Sequence, residues 1–155
     1  ENKDKEDHTK TLIELRNFCK KNNRRFYISN NIKLAIEIKA NGVYISSNNK
    51  SFNFRFFKLR NDFKILGSAH NLKEIKLKEF QKVEEVFLSP LFKDKTNKQL
   101  NLYGYLNLKK ITFMKDISLG GINNKNVKKL KLIQPFGFAG ISYFDKKKAP
   151  KNRGL

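Results

Sequence analysis

Short apolar runs that stop on small polar residues recur along this chain, and each is followed by a segment of helical periodicity. Phe63–Gly67 stops at Ser68-Ala69-His70-Asn71, and Val86–Leu88 stops at Ser89-Pro90-Leu91-Phe92. The same punctuation appears at Ser29-Asn30-Asn31, Ser46–Asn49, Gly120-Gly121-Ile122 and Ala139–Ser142. A buried strand that ends this way before a helix start delivers side chains to one rim of an α/β fold. The run ends fall 19 to 21 residues apart, with one interval of 31 across a polar loop. A strand, a helix and two short loops need about that much chain.

The first helix is predicted to open at a capping box, Thr11 with Glu14, and to carry Leu12, Leu15, Phe18 and Cys19 on its apolar face. Arg25–Ile28 and Gly42–Ile45 read as strands, separated by a helix capped by Asn31 that carries Ile32, Ala35, Ile36 and Ile38. Phe52–Leu59 fits a strand by the alternation of Phe52, Phe54 and Phe56, and a helix by its place in the series. Phe63–Gly67 and Val86–Leu88 read as strands on either side of a helix capped by Asn71 and Glu74, with Leu72, Ile75, Leu77 and Phe80 as its apolar positions. A polar loop from Lys93 to Leu102 then leads to a helix over Tyr105–Ile111. Strands at Asp116–Leu119 and Phe138–Ile141 flank a helix from Asn124 to Ile133. Six such repeats predict parallel strands with helical crossovers. An open doubly wound sheet and most of an eight-stranded barrel both fit, and both bind ligands at the carboxyl ends of the strands. Residues 1–8 read as a charged, unstructured leader, 9–144 as one domain, and 145–155 as an unpacked basic tail.

A length of 155 residues suits one domain, and 14 Phe with 5 Tyr supply its core. No run of about eighteen apolar residues is present, so no membrane span is expected. The chain starts at Glu1 with no signal-peptide pattern. A single cysteine, Cys19, excludes an internal disulfide and reads as a buried, inert thiol, which fits a reducing cytoplasm. The formal charge of +20 would attract phosphate-bearing ligands, nucleic acid or acidic membranes. Much of the lysine content matches AT-rich codon usage, as do Asn, Ile, Phe and Tyr, and the lysines are spread along the chain. That account leaves the scarcity of Asp and Glu unexplained.

Gly120-Gly121 and Gly140-Ile141-Ser142 sit at the last two strand ends, where glycine lets backbone N–H groups approach an anion. A plain tight turn is the competing reading. His70 is the histidine at a strand end and suits a general acid or base near neutral pH, against a backbone-bonded histidine at a helix start. His8 lies in the leader and receives no role. Thr96 and the lysines of Lys93–Lys98 could meet a phosphorylated substrate, or form a solvated loop. Cys, His and Asp show no metal-ligand spacing, so a zinc site is not expected, and no Walker loop or pair of catalytic carboxylates is present. Phe52–Arg60 interleaves rings with cations, which supports a weaker rival reading as a basic module for single-stranded nucleic acid.

In order along the chain, Ile28-Ser29-Asn30-Asn31, Asn41-Gly42-Val43-Tyr44-Ile45, Gly67-Ser68-Ala69-His70, Ser89-Pro90-Leu91-Phe92, Thr96, Gly104, Gly120-Gly121-Ile122 and Gly137–Ser142 resemble the thiamine phosphate synthase / TenI family. The resemblance covers residues 8–144 and implies a TIM (β/α)8-type barrel, here lacking its first strands and showing about six. It implies a transferase of thiamine biosynthesis that joins hydroxymethylpyrimidine diphosphate to thiazole phosphate. Diphosphate leaves, and the thiazole nitrogen captures the pyrimidine carbocation. By resemblance, Ser68 would contact the diphosphate, Thr96 and Lys98 would face substrate phosphates, and Gly120, Gly121 and Ser142 would hold the thiazole phosphate. In the TenI branch the counterpart of His70 is the acid/base of a thiazole tautomerase. A phosphate-ligand binder without catalysis is a further alternative. The family pattern has Asp at the positions of Asn30 and Asn49, where it helps hold Mg²⁺; an amide oxygen carries no charge, so a Mg²⁺ cofactor is weakened here. Asn97 stands where a lysine is expected and Tyr44 where histidine is common. The family's first two strands and a helix have no counterpart ahead of Thr9, which suggests an N-terminally incomplete chain with exposed strand edges. Self-association is left open.

Overall fold

A computed structural model describes residues 2–52, 60–93 and 98–144. Residues 53–59, Thr96 and the basic tail, on which three of the expectations above bear, lie outside the described residues.

Six strands form one sheet: β1 (Tyr27–Ser29), β2 (Gly42–Ile45), β3 (Lys64–Ala69), β4 (Glu85–Leu88), β5 (Lys115–Leu119) and β6 (Gly137–Ala139). They pair in sequence order, and every pair is parallel. Sequential order rules out the doubly wound alternative, in which the order must reverse at a switch point. Crossovers of constant hand place the connecting helices on one face of the sheet. These are α2 (Ile32–Glu37), α3 (Leu72–Phe80), α4 (Asn101–Ile111) and a 3-10 turn at Val127–Leu132, while α1 (Asn2–Lys21) precedes β1 and the short α5 (Ile141–Phe144) follows β6. Beyond β1 and β6 the sheet has no further partner among the described residues.

The strands show why the helices lie where they do. Ile28, Val43, Ile45, Ile65, Ala69, Val86 and Leu88 are buried against Ile32, Ala35, Ile75, Tyr105 and Leu108 of the helices. The alternate positions Tyr44, Phe87 and Ile117 are half-buried on the other face. There the rings of Tyr44 and Phe87 meet edge to face at 5.8 Å. A two-residue period with a dry helix side and a wetter opposite side marks a parallel sheet covered by helices on one face.

Several expected details differ. The first helix begins at Asn2, so Thr11 lies inside it and its hydroxyl donates to the Asp7 carbonyl at 3.0 Å. The capping box therefore does not open that helix, and Asn2–His8 is helical. Leu15 and Phe18 are 47% and 66% exposed, and Cys19 is half-buried rather than buried. On α3 the buried residues are Ile75 and Lys78, while Leu72 and Phe80 are exposed. The stretch from Asn124 to Ile133 forms only a 3-10 turn over its middle.

Three helices end alike without glycine. After α1, Arg24 N–H donates to Cys19 O and Asn23 N–H to Lys20 O; after α2 the pairs are Ala40–Ala35 and Lys39–Ile36; after α3 they are Val83–Lys78 and Lys82–Glu79. Each is a Schellman cap with its left-handed position at Asn23, Lys39 or Lys82, φ 52°, 53° and 61°. A side chain at that position is strained, and glycine would relieve it. Lys82→Gly is expected to stabilise the fold by about 0.5–1 kcal/mol, the strain relieved less the extra freedom of unfolded glycine. A rise in the urea midpoint at unchanged slope checks this.

Candidate functional site

Parallel pairing puts all six carboxyl ends on one rim, and the loops there touch from β1 to β2 and from β3 through β6. After β1, Asn30 takes a left-handed backbone, φ 56°. Its side-chain oxygen accepts from Ser46 N–H (2.9 Å), the Ser46 hydroxyl (3.2 Å) and the Asn49 amide (3.1 Å). The Asn49 oxygen accepts from Ser51 N–H at 2.9 Å. After β3, His70 Nδ1 lies 2.6 Å from the Ser89 carbonyl oxygen in the loop after β4. Leu91 and Phe92 N–H donate to Leu119 O (2.8 Å) and Gly120 O (3.1 Å), joining that loop to the end of β5. A Cβ on Gly140, after β6, would lie 3.3 Å from Ile122.

The Asn71–Glu74 capping box fixes the base of His70. Asn71 Oδ1 accepts from Glu74 N–H at 3.0 Å, and the Glu74 carboxylate accepts from Asn71 Nδ2 and His70 N–H, both at 2.7 Å. A carbonyl can only accept, so Nδ1 of His70 carries a proton, and in the neutral ring Nε2 holds the lone pair. Ser68, next to this turn, is 4% exposed on the sheet face away from the helices, paired across the strands with Phe87, and its hydroxyl has no hydrogen-bond partner among the described residues.

Gly120 and Gly121 have φ 97° and 68°. A Cβ on Gly120 would sit 2.6 Å from Pro90 Cα, and one on Gly121 2.9 Å from the carbonyl oxygens of Phe92 and Lys93. The glycine pair thus serves the close approach of two loops. The amides of Gly120, Gly121 and Ile122 donate no hydrogen bond among the described residues, while Gly121 O accepts from Asn123 and Asn126. Donors free at a strand's carboxyl end suit an anion. Ser142 is exposed on α5 at the end of β6. Lys98 is exposed, two residues before Leu100, whose N–H donates to Pro90 O at 2.7 Å.

Two residues that the sequence reading did not single out hold the loop after β2. Lys78 Nζ donates to Ser46 O (2.7 Å), Asn49 O (3.1 Å) and Gln81 Oε1 (2.9 Å). Gln81 Nε2 donates to Asn49 O (2.9 Å) and Ser51 O (2.8 Å). Both side chains are wholly buried. The Lys78 stem passes over Gly67, where a Cβ would lie 3.1 Å from Lys78 Cδ. The available signal was the three-residue spacing Ile75–Lys78, which puts a lysine on the core-facing stripe.

The residues do not fit a protein-held Mg²⁺. The Asn30 and Asn49 oxygens come together but are already engaged by donors, and they bring no charge. No group of three His, Cys, Asp or Glu among the described residues could hold a metal ion. The buried Asp116 faces the helices, accepting from the Tyr105 hydroxyl at 2.8 Å with Lys109 at 3.4 Å. Burial and that carboxylate hold the Tyr105 phenol well above its usual range.

The profile of the thiamine monophosphate synthase family matches residues 1–144. The chain belongs to this family. A thiamine-phosphate synthase from Prochlorococcus marinus subsp. pastoris is 32% identical over 129 residues, 81% of this chain and 36% of that protein. A putative thiamine-phosphate synthase 2 from Aquifex aeolicus is 31% identical over 139 residues, 87% of this chain and 74% of its own length. Among solved structures, thiamine phosphate pyrophosphorylase from Pyrococcus furiosus superposes with a TM-score of 0.69 at 17% identity, covering 85% of this chain and 66% of that one. The chain thus spans little more than a third of the Prochlorococcus relative. No helix among the described residues is long and apolar enough to cross a membrane.

Two outcomes follow for this thiamine monophosphate synthase family rim. Gly121→Ala is expected to cost about 1–3 kcal/mol by urea unfolding, whereas Gly137→Ala, whose Cβ would meet nothing nearer than 3.9 Å, is tolerated. Burial pushes the Lys78 ammonium down to about 8 from an ordinary 10.5, against a smaller opposing pull from Glu74. Between those values the unfolded chain binds the extra proton, so the wild type gains stability relative to Lys78→Met as pH rises through that window. Below pH 8 both states are protonated and the difference is flat. Paired urea melts at pH 7 and pH 10 read the sign.

Proposed function

We propose that this chain supplies most of the substrate-binding rim of a thiamine phosphate synthase, joining hydroxymethylpyrimidine diphosphate to thiazole phosphate with release of diphosphate. One observation carries the reading: successive carboxyl-end loops touch from β1 to β2 and from β3 through β6, and beside them lie the unpartnered hydroxyl of Ser68, near the end of β3, and the free amides of Gly120–Ile122. In this reading Ser68 contacts the diphosphate. The amides of Gly120, Gly121 and Ile122, with the Ser142 hydroxyl, hold the thiazole phosphate. Lys98 and Thr96 face the substrate phosphates. Half-buried Tyr44 and Phe87 form an apolar wall for the rings. The sequential sheet is read as an arc of a (β/α) barrel, and the setting as cytoplasmic.

A second reading is favoured by the His70 geometry. The hydrogen bond to Ser89 O fixes the tautomer and leaves Nε2 as a base. With amides in place of the family's two aspartates, this arrangement suits proton transfer on a thiazole ring better than handling of a metal diphosphate.

The full-length protein, given both substrates and Mg²⁺, is expected to form thiamine phosphate, with kcat/KM falling about 100-fold in Ser68→Ala. No thiamine phosphate, together with thiazole tautomer conversion that disappears in His70→Ala, would overturn the first reading in favour of the second.

A further inference from the structure

Four of the chain's six arginines lie among the described residues, and all four line one cleft at the opposite end of the sheet from the rim. Arg16 and Lys20 come from the end of α1, Arg24 and Arg25 precede β1, Lys39 follows α2, and Arg60 precedes β3. The cleft measures about 450 Å³, and its single carboxylate, Asp62, is held by Arg60 at 2.9 Å. Arg60 also donates to Ala40 O at 3.0 Å. The floor is rigid: Asn41 exchanges hydrogen bonds with the Phe26 backbone, and its carbonyl accepts from Lys64 N–H. The side chains of Arg16, Arg24 and Arg25 have no hydrogen-bond or carboxylate partner among the described residues, and Arg16 Nε is buried without one.

Codon usage does not account for this grouping, because every arginine codon contains a G whereas lysine can be encoded by A alone. Six cations facing one neutralised carboxylate repel one another, and a multiply charged anion would relieve that repulsion. Planar guanidinium forks match phosphate oxygens in pairs, which lysine does not. A cleft of a few hundred Å³ takes a small molecule rather than a helix or strand. We infer that this cleft is a second anion site, taking an oligophosphate group, either free or carried by a nucleoside. It lies roughly 16 Å of strand below the rim, counting from Arg25 to Asn30, and does not depend on the reaction assigned there.

Calorimetric titration with inorganic tripolyphosphate, repeated with ATP, tests it. Expected are saturable one-to-one binding that weakens with added salt and a loss of about tenfold or more in Arg24→Gln/Arg25→Gln, equivalent to some 1.4 kcal/mol. The charge-matched Lys128→Gln/Lys129→Gln protein, altered at exposed positions outside the cleft, is expected to stay within about twofold. Equal heats for ATP and tripolyphosphate identify the phosphates as the recognised group, and tighter ATP binding adds the nucleoside. Thermal melts confirm that both variants fold. No saturation, or equal losses in the two double variants, overturns the site. A single-stranded RNA that binds at least about 100-fold more tightly than tripolyphosphate, and loses that affinity in Arg24→Gln/Arg25→Gln, overturns it in favour of an extended nucleic-acid path.

Discussion

Everything about this chain's chemistry hangs on the parallel, sequence-ordered pairing of its six strands. Parallel neighbours need a crossover each time, and a constant hand sends the described helical crossovers over the same face. The helix face therefore becomes the dry core, and the other face carries the half-buried Tyr44, Phe87 and Ile117. The same constraint gathers six loops at one end of the strands. Residues separated by more than a hundred positions, Asn30 and Ser142, share that end because the ladder admits no other arrangement.

The rim is held together by polar groups used in different ways. The Asn30 oxygen is spent on the loop after β2 and the Asn49 oxygen on Ser51 of its own loop, so both act as structure. Lys78 and Gln81 reach up from the core and fasten the backbone of the β2 loop with five hydrogen bonds, one of them between the two side chains. Burying an ammonium among neutral acceptors is costly, and all three of its hydrogen bonds offset that cost. Groups left over, the Ser68 hydroxyl, His70 Nε2 and the amides of Gly120–Ile122, are those with no structural partner. Chemistry is assigned to them for that reason.

Strand–helix alternation, the rim residues and two side-chain caps were legible in the sequence because they are local: Asn31 and Asn71 cap as their spacing predicts. The doubly wound alternative could not be removed from sequence, since strand order is a tertiary fact. Helix ends were obscured because Asn23, Lys39 and Lys82 occupy turns that glycine usually marks. The start of α1 was misread because an internal Thr–Glu pair has the pattern of a cap. Lys78 was missed because a lysine on an apolar stripe reads as solvated until the acceptors from a loop about thirty residues earlier come into view. The arginine cleft joins residues 16 to 62, and only the fold assembles it.

In the proposed function the carboxyl-end loops act as one composite anion-binding rim. Amide chemical-shift mapping with thiazole phosphate tests it most directly. Concerted, saturable shifts at Ser68, Gly120, Gly121, Ile122 and Ser142 with a single dissociation constant are expected. Shifts scattered over the surface, or confined to Arg24 and Arg25 at the far end of the strands, would contradict it.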